Sequence, residues 1–167
     1  AAAVQRVFDV KTRSPEKALP VIIGERDFLY LIAQEISDEA RQLIESFWPG
    51  PLSLILRAVP SLPTILHGNT GKIAVRLPAC AVARELATAC SGALTATSAN
   101  RSGAEATQTA AEVRSSLGEA IDLVIDSGPA TTTRPSTMID VTVSPPRLLR
   151  EGAISFAEIN AIVKIQR

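Results

Sequence analysis

Apolar residues follow two rhythms along this chain. In LSLILR (52–57) and KIAVRLP (72–78) they alternate or run together over a few positions, the pattern of strands with one or both faces covered. In AAAVQRVFDVK, Val4, Val7 and Phe8 fall on one helical face. A basic segment then leads into a short apolar strand at 20–23. Residues 25–47 read as helical in two pieces, ERDFLYLIAQ and a fresh start at Ser37. There the side chains of Ser37, Asp38 and Glu39 can meet free backbone N–H groups. WPGP at 48–51 ends that run, because proline and glycine do not continue a helix.

The rest of the pattern alternates. Residues 58–71 form a turn-rich loop, AVARELATACSG a helix ended by Gly92, ALTATS (93–98) a strand and RSGAEATQ a loop. TAAEVRSSLG reads as a helix with Gly118 beyond its end, IDLVIDSG (121–128) as a strand and PATTTRPS (129–136) as a mobile loop. STMIDVT and PRLLREG read as strands, and SFAEINAIVKI as a terminal helix capped by Ser155. Helices alternating with strands, then strands in succession, predict an α/β fold on a mixed sheet. No internal repeat or low-complexity linker divides the chain, so residues 1–167 are expected to form a single domain.

Composition narrows the picture. Hydrophobic residues make up 46% of the 167 and aromatic ones 4%, so Ala, Val, Ile and Leu must build the core. Lys plus Arg equals Asp plus Glu at 17 each, and overall charge therefore points to neither nucleic acid nor membrane. Cys80 and Cys90 bracket one predicted helix, too far apart along it to bridge, which fits a reduced cytoplasmic setting. No apolar run is long enough to span a membrane. The first residues read as a helix already under way, and the domain is expected to be N-terminally incomplete.

Several chemistries lack their residues. His67 sits alone in a Gly/Asn-rich loop with no nucleophile elbow nearby and reads as a surface histidine. One histidine and two cysteines at these spacings make no zinc site, and no GxGxxG or Walker loop is present. What remains is a set of cations, hydroxyls and amides at strand ends: Lys11, Arg13, Arg76, Ser98, Asn100, Ser136 and Arg150. Ligands of open α/β sheets gather at such ends. Each residue alone is an ordinary solvated or turn residue. Gathered, two cations ~8 Å apart repel by roughly 2 kcal/mol at an effective dielectric of 20, so an anionic ligand becomes the natural partner.

The segments KTR…KALPVII, FWPGPLSLIL, KIAVRLP, TSANRSG, PSTMIDVT and LLREGAI resemble, in order and over nearly the whole chain, the YrdC-type threonylcarbamoyl-AMP synthase family. The resemblance implies a twisted open mixed β-sheet with flanking helices and a basic concave cleft. It implies an enzyme that joins ATP, L-threonine and bicarbonate into threonylcarbamoyl-AMP, with Mg2+ accompanying ATP. A tRNA threonylcarbamoyl transferase complex would use the product. The family's Lys-x-Arg falls on Lys11 and Arg13, its Ser-x-Asn on Ser98 and Asn100, and its Ser-Thr pair on Ser136 and Thr137. By this resemblance Lys11, Arg13, Ser98 and Asn100 would be catalytic. Arg13, Lys17, Arg76, Ser98 and Arg150 would bind ATP, and Ala96 and Ser136 would face threonine.

The chain departs from the family in lacking its opening Pro-Thr-x-Thr-x-Tyr-Gly-Leu segment. It also has Ile22 where many members carry histidine and Ala106 where many carry serine. Two other readings remain open: an RNA-binding module with the same cleft and no catalysis, which would bind tRNA directly, and a carbamoyl-adenylate-forming domain fed by carbamoyl phosphate.

Overall fold

Strand β3 (Leu52–Ala58) organises the sheet. It pairs antiparallel with β4 (Lys72–Arg76) through Leu54↔Val75 and Arg57↔Lys72. On its other side it pairs parallel with β6 (Thr137–Asp140) through Leu52↔Thr137 and Ile55↔Asp140. β1 (Val21–Ile23) lies parallel to β4, and β5 (Ala93–Thr95) runs antiparallel to β1 at one edge. β7 (Arg147–Arg150), antiparallel to β6, forms the other edge. The order is β5-β1-β4-β3-β6-β7, with β2 (Ala33–Gln34) pairing the end of β3 through Gln34↔Arg57. This computed structural model describes residues 2–14, 16–130 and 134–167.

Because side chains alternate along a strand, these registers sort the residues onto two faces. Val21, Ile23, Leu52, Leu54, Leu56, Ile73, Val75 and Ile139 share one face, each at most 3% exposed. Phe8 of α1 (Ala2–Lys11), Leu43 of α2 (Asp38–Phe47) and Ile159 of α6 (Phe156–Ile162) join the same buried cluster. Each such side chain contributes about 1.5–3 kcal/mol by leaving water. The opposite face is mixed and partly open, and it matters for function.

The expected α/β class, the mixed open sheet and most elements are present. Ser37 accepts from Ala40 N at the start of α2. Thr109 and Ser155 form reciprocal capping boxes with Glu112 and Glu158, starting α5 (Ala110–Leu117) and α6. Cys80 and Cys90 flank the helix α4 (Ala81–Ala89), both exposed and unpaired.

Three expectations fail. ERDFLYLIAQ forms a 3-10 helix at Arg26–Leu31 and then strand β2, because Ala33 and Gln34 find partners on the distant β3. IDLVIDSG alternates like a strand, yet no described strand offers it an edge; Leu123 is 76% and Ile125 52% exposed. The loop at 58–71 contains a short helix, α3 (Thr64–His67), and His67 is buried, its Nδ1 accepting from Gly71 N at 3.2 Å. Of the loop expected over 129–136, residues 131–133 lie outside the described residues.

Candidate functional site

The open face of the sheet carries one continuous row across it. Leu94 lies opposite Ile22, and Ile22 opposite Arg76. The Leu54↔Val75 register sets Ser53 beside Arg76, Ser53 is opposite Met138, and Met138 opposite Arg150. At ~4.8 Å per strand the row extends for about 24 Å from β5 to β7. Two arginines and one hydroxyl stand among small or apolar neighbours.

Arg76 is held from the WPGP turn. Its Nε donates to Gly50 O at 2.8 Å, and Gly50 N donates to Leu77 O at 2.9 Å. Trp48 is buried and fixes the turn by donating from Nε1 to Leu52 O. Burial lowers the pKa of Arg76 from the ordinary guanidinium value, a sign of a cation drawn out of water. Its remaining N–H groups have no partner among the described residues.

At the β7 end, Arg150 donates from Nε to Ser136 O (3.0 Å) and from Nη2 to Ser136 Oγ (3.1 Å). Ser136 Oγ is also 2.8 Å from Ser53 Oγ. The backbone here is tightly set. A Cβ on Gly152 would lie 2.2 Å from Pro135 O and 2.6 Å from the Ser136 carbonyl carbon, so only glycine fits. Thr137, matched to the family's Ser-Thr pair, turns out to be structural. Its Oγ1 accepts from Gly152 N and Ile154 N and donates to Ile154 O, which uses its full capacity at 0% exposure.

A second cluster forms where β5 ends. Ala96 N donates to Pro20 O (2.8 Å), and the chain then turns through Ser98 and Asn100. Lys11, the last residue of α1 and 4% exposed, donates Nζ hydrogen bonds to Ser98 O (2.6 Å) and Asn100 O (2.5 Å). Burial, and secondarily the charge of Arg13, lower its pKa. Thr107 Oγ1 ties the loop at Ala99 O. Asn100 donates from Nδ2 to Ala104 O, while its Oδ1 is buried without a donor among the described residues. The Ser98 side chain remains exposed. Arg13 donates to Lys17 O and Ala18 O, and Lys17 itself is exposed.

The predicted residues therefore gather at stations rather than one point. Lys11, Arg13, Lys17, Ala96, Ser98 and Asn100 lie by the β5 edge, Arg76 lies beyond the intervening β1, and Ser136 and Arg150 lie toward β7. Ion pairs occur elsewhere: among the described residues no carboxylate pairs with Lys11, Arg13, Lys17, Arg76 or Arg150. Such an array can hold an elongated ligand that carries several negative charges. Sequence reasoning missed Ser53, Thr107 and Gly152. The polar residue inside LSLIL was the available signal for Ser53; Thr107 had none, because its partner is a backbone carbonyl.

A family model described as "Telomere recombination", Sua5/YciO/YrdC, matches residues 1–152. The chain belongs to the Sua5/YciO/YrdC family. It is 35% identical over 161 residues to the threonylcarbamoyl-AMP synthase of Pyrococcus abyssi, covering 96% of this chain and 47% of that protein. It is 36% identical over 140 residues to the threonylcarbamoyl-AMP synthase of Idiomarina loihiensis, covering 83% of this chain and 75% of that one. Among solved structures, P. abyssi Sua5 complexed with L-threonine matches with a TM-score of 0.93 at 35% identity, over 98% of this chain and 49% of that one. The chain thus spans about half the length of its Pyrococcus relative. Its fold is that of other Sua5/YciO/YrdC proteins, as the WPGP, TSAN and STMID motifs indicated.

Proposed function

We propose that this chain condenses L-threonine, bicarbonate and ATP into L-threonylcarbamoyl-AMP with release of pyrophosphate and water. One observation carries the reading: a row of cations on an open face, none paired with a described carboxylate, continues toward a strand-end loop of exposed hydroxyls. The names of the relatives and the threonine bound to the Pyrococcus protein support the choice of substrates.

In the reaction, a carbamate oxygen of N-carboxythreonine attacks the α-phosphorus, and the bond to pyrophosphate breaks with its electrons on the leaving oxygen. Phosphoryl chemistry of this type depends chiefly on position and charge, so no protein nucleophile is needed. Arg76, with Nε already fixed on Gly50 O, presents its remaining N–H groups to phosphate. Lys11 shapes the Ser98 loop through two carbonyls and adds positive charge beneath it. Ser98 gives a compact donor at the strand end, with Arg13 and Lys17 nearby for the phosphates. Asn100 holds the loop by its bond to Ala104 O. Ala96 and Ser136 face threonine.

Mg2+ enters with the triphosphate as part of the substrate. Among the described residues no group of three His, Cys, Asp or Glu side chains could hold a metal ion. The product passes to a tRNA threonylcarbamoyl transferase complex. Exposed free thiols at Cys80 and Cys90 support a cytoplasmic setting, and no described helix is long and apolar enough to cross a membrane. The RNA-binding alternative has less support, since Tyr30 is the one strongly exposed aromatic side chain described.

Pyrophosphate release should require ATP, bicarbonate and L-threonine together, and Ser98→Ala or Arg13→Ala should each lower it at least tenfold without unfolding the chain. Salt-sensitive tRNA binding with no threonine-dependent release would replace the synthase with an RNA module.

A further inference from the structure

We infer that Ser53 is a positioning residue that makes Ser136 a hydrogen-bond donor toward the carboxylate of the amino-acid substrate. The inference rests on the reading of Ser136 as a threonine contact and adds a residue and a selection rule to it. Ser53 lies within β3, 5% exposed, on the open-face side of the strand. Its Oγ has one hydrogen-bond partner among the described residues, Ser136 Oγ at 2.8 Å.

A hydroxyl donates one proton and accepts through two lone pairs. Arg150 Nη2 can only donate, so it takes one lone pair of Ser136 Oγ. If Ser136 donated to Ser53, the proton of the buried Ser53 would be left with no described acceptor. If Ser53 donates to Ser136, every buried proton is placed. Buried polar hydrogens are almost always satisfied, so the second direction holds. Both lone pairs of Ser136 are then occupied, by Ser53 and by Arg150, and its own proton must point outward.

The outward group is consequently a donor that cannot accept. It suits a carboxylate oxygen, bonds the neutral carbonyl of an amide more weakly and does nothing for an amide N–H. Arg150 beside it supplies charge of the matching sign. The backbone of Ser136 is already fixed against Gly152 and through Thr137 N donating to Pro51 O, so the Ser53 hydroxyl acts on the orientation of the hydroxyl proton rather than on the loop.

The test uses the whole chain and compares L-threonine with L-threoninamide, which lacks the carboxylate. Wild type should prefer the acid. Ser53→Ala should raise KM for L-threonine about tenfold and narrow that preference, leaving KM for ATP within about twofold. Ser53→Thr should restore most of the loss, and Ser53→Ala should add little in a Ser136→Ala background. A Ser53→Ala effect that persists without the Ser136 hydroxyl, or that falls equally on ATP, would overturn the inference; so would a normal acid preference in Ser53→Ala. Wild-type protein that ignores threonine altogether would instead remove the synthase reading, and this inference with it.

Discussion

Strands β3 and β4 carry basic residues at both ends of one sheet face, and the two ends treat them in opposite ways. At one end Arg57 pairs with Glu35 at 2.8 Å and Lys72 with Asp140 at 3.0 Å. The hollow there, about 260 Å³, is edged by Glu35 and Glu39 beside Arg57. At the other end, among the described residues, Arg76 and Arg150 bond only to neutral oxygens. β4 supplies one cation to each end, Lys72 and Arg76, with Arg57 of β3 at the first and Arg150 of β7 at the second, so the difference comes from which neighbours each end meets. Where the cations are matched, charge is balanced within the fold; where they are not, the proposed reading has an anionic substrate supply the balance. The hollow beside Arg57, edged by two carboxylates, is accordingly the weaker candidate for an anion.

The sharpest way to break this contrast is to remove one cation from each end. Arg76→Met should weaken ATP binding by roughly 10- to 100-fold, the range for a hydrogen bond to a charged group, while Lys72→Met should change it less than about twofold. Calorimetric titration would show it, and equal losses would abolish the distinction between the ends. Arg76→Met should also melt no lower than wild type, because it removes a half-buried cation with no acidic partner among the described residues.

Stability should respond at the matched end instead. Asp140→Ala removes the acceptor of Lys72 Nζ, Thr142 N and Thr142 Oγ1, and should cost about 2–3 kcal/mol in urea unfolding with ATP affinity unchanged. Burial pushes the Asp140 carboxyl up, but hydrogen bonds from Thr142 and Lys72 outweigh it and leave its pKa below the ordinary value. A carboxyl depressed in the folded state stabilises above its unfolded pKa, near 3.9, and that stability is lost as pH falls through the folded value. Thr142→Ala should bring the folded value back toward the unfolded one and shrink the effect. An unchanged acid limb would separate Asp140 from the pairing.

The smallest effect concerns Lys11. Burial first, then Arg13, lower its pKa, so between the folded value and the ordinary one near 10.4 the unfolded chain holds a proton that the folded chain has released. Stability from this group therefore rises with pH across that window. Arg13→Gln should move the Lys11 titration upward by a fraction of a unit, read from its side-chain NMR signals. A downward move would mean that Arg13 does not act on Lys11 through charge.

Local signals were legible in the chain. Ser37 and Ser155 announced helix starts because a cap needs only a hydroxyl and three following residues. LSLILR and KIAVR announced strands because both faces of the pattern are visible within one segment. What a segment lacks is knowledge of its partners. IDLVIDSG has the alternation of a strand without a described neighbour, and Ala33–Gln34 became a strand only because Ala58 and Arg57 lie opposite. Most site residues were singled out from their places at strand ends and received roles from motif resemblance, whereas the assignment of Thr137 to structure and Ser53 to the open row needed the register between β3 and β6. His67 looked exposed in its polar loop, and the loop folds over it.

The parallel pairing of β3 with β6 has a consequence in time. Ser53 and Ser136, at 2.8 Å, are separated by 83 positions, and Lys11 and Ser98 by 87. Contacts this remote form only after a long loop has closed, which places both of them late in folding. Recovery of nucleotide affinity during refolding should therefore coincide with completion of the sheet, making the ligand a clock for the last step of assembly.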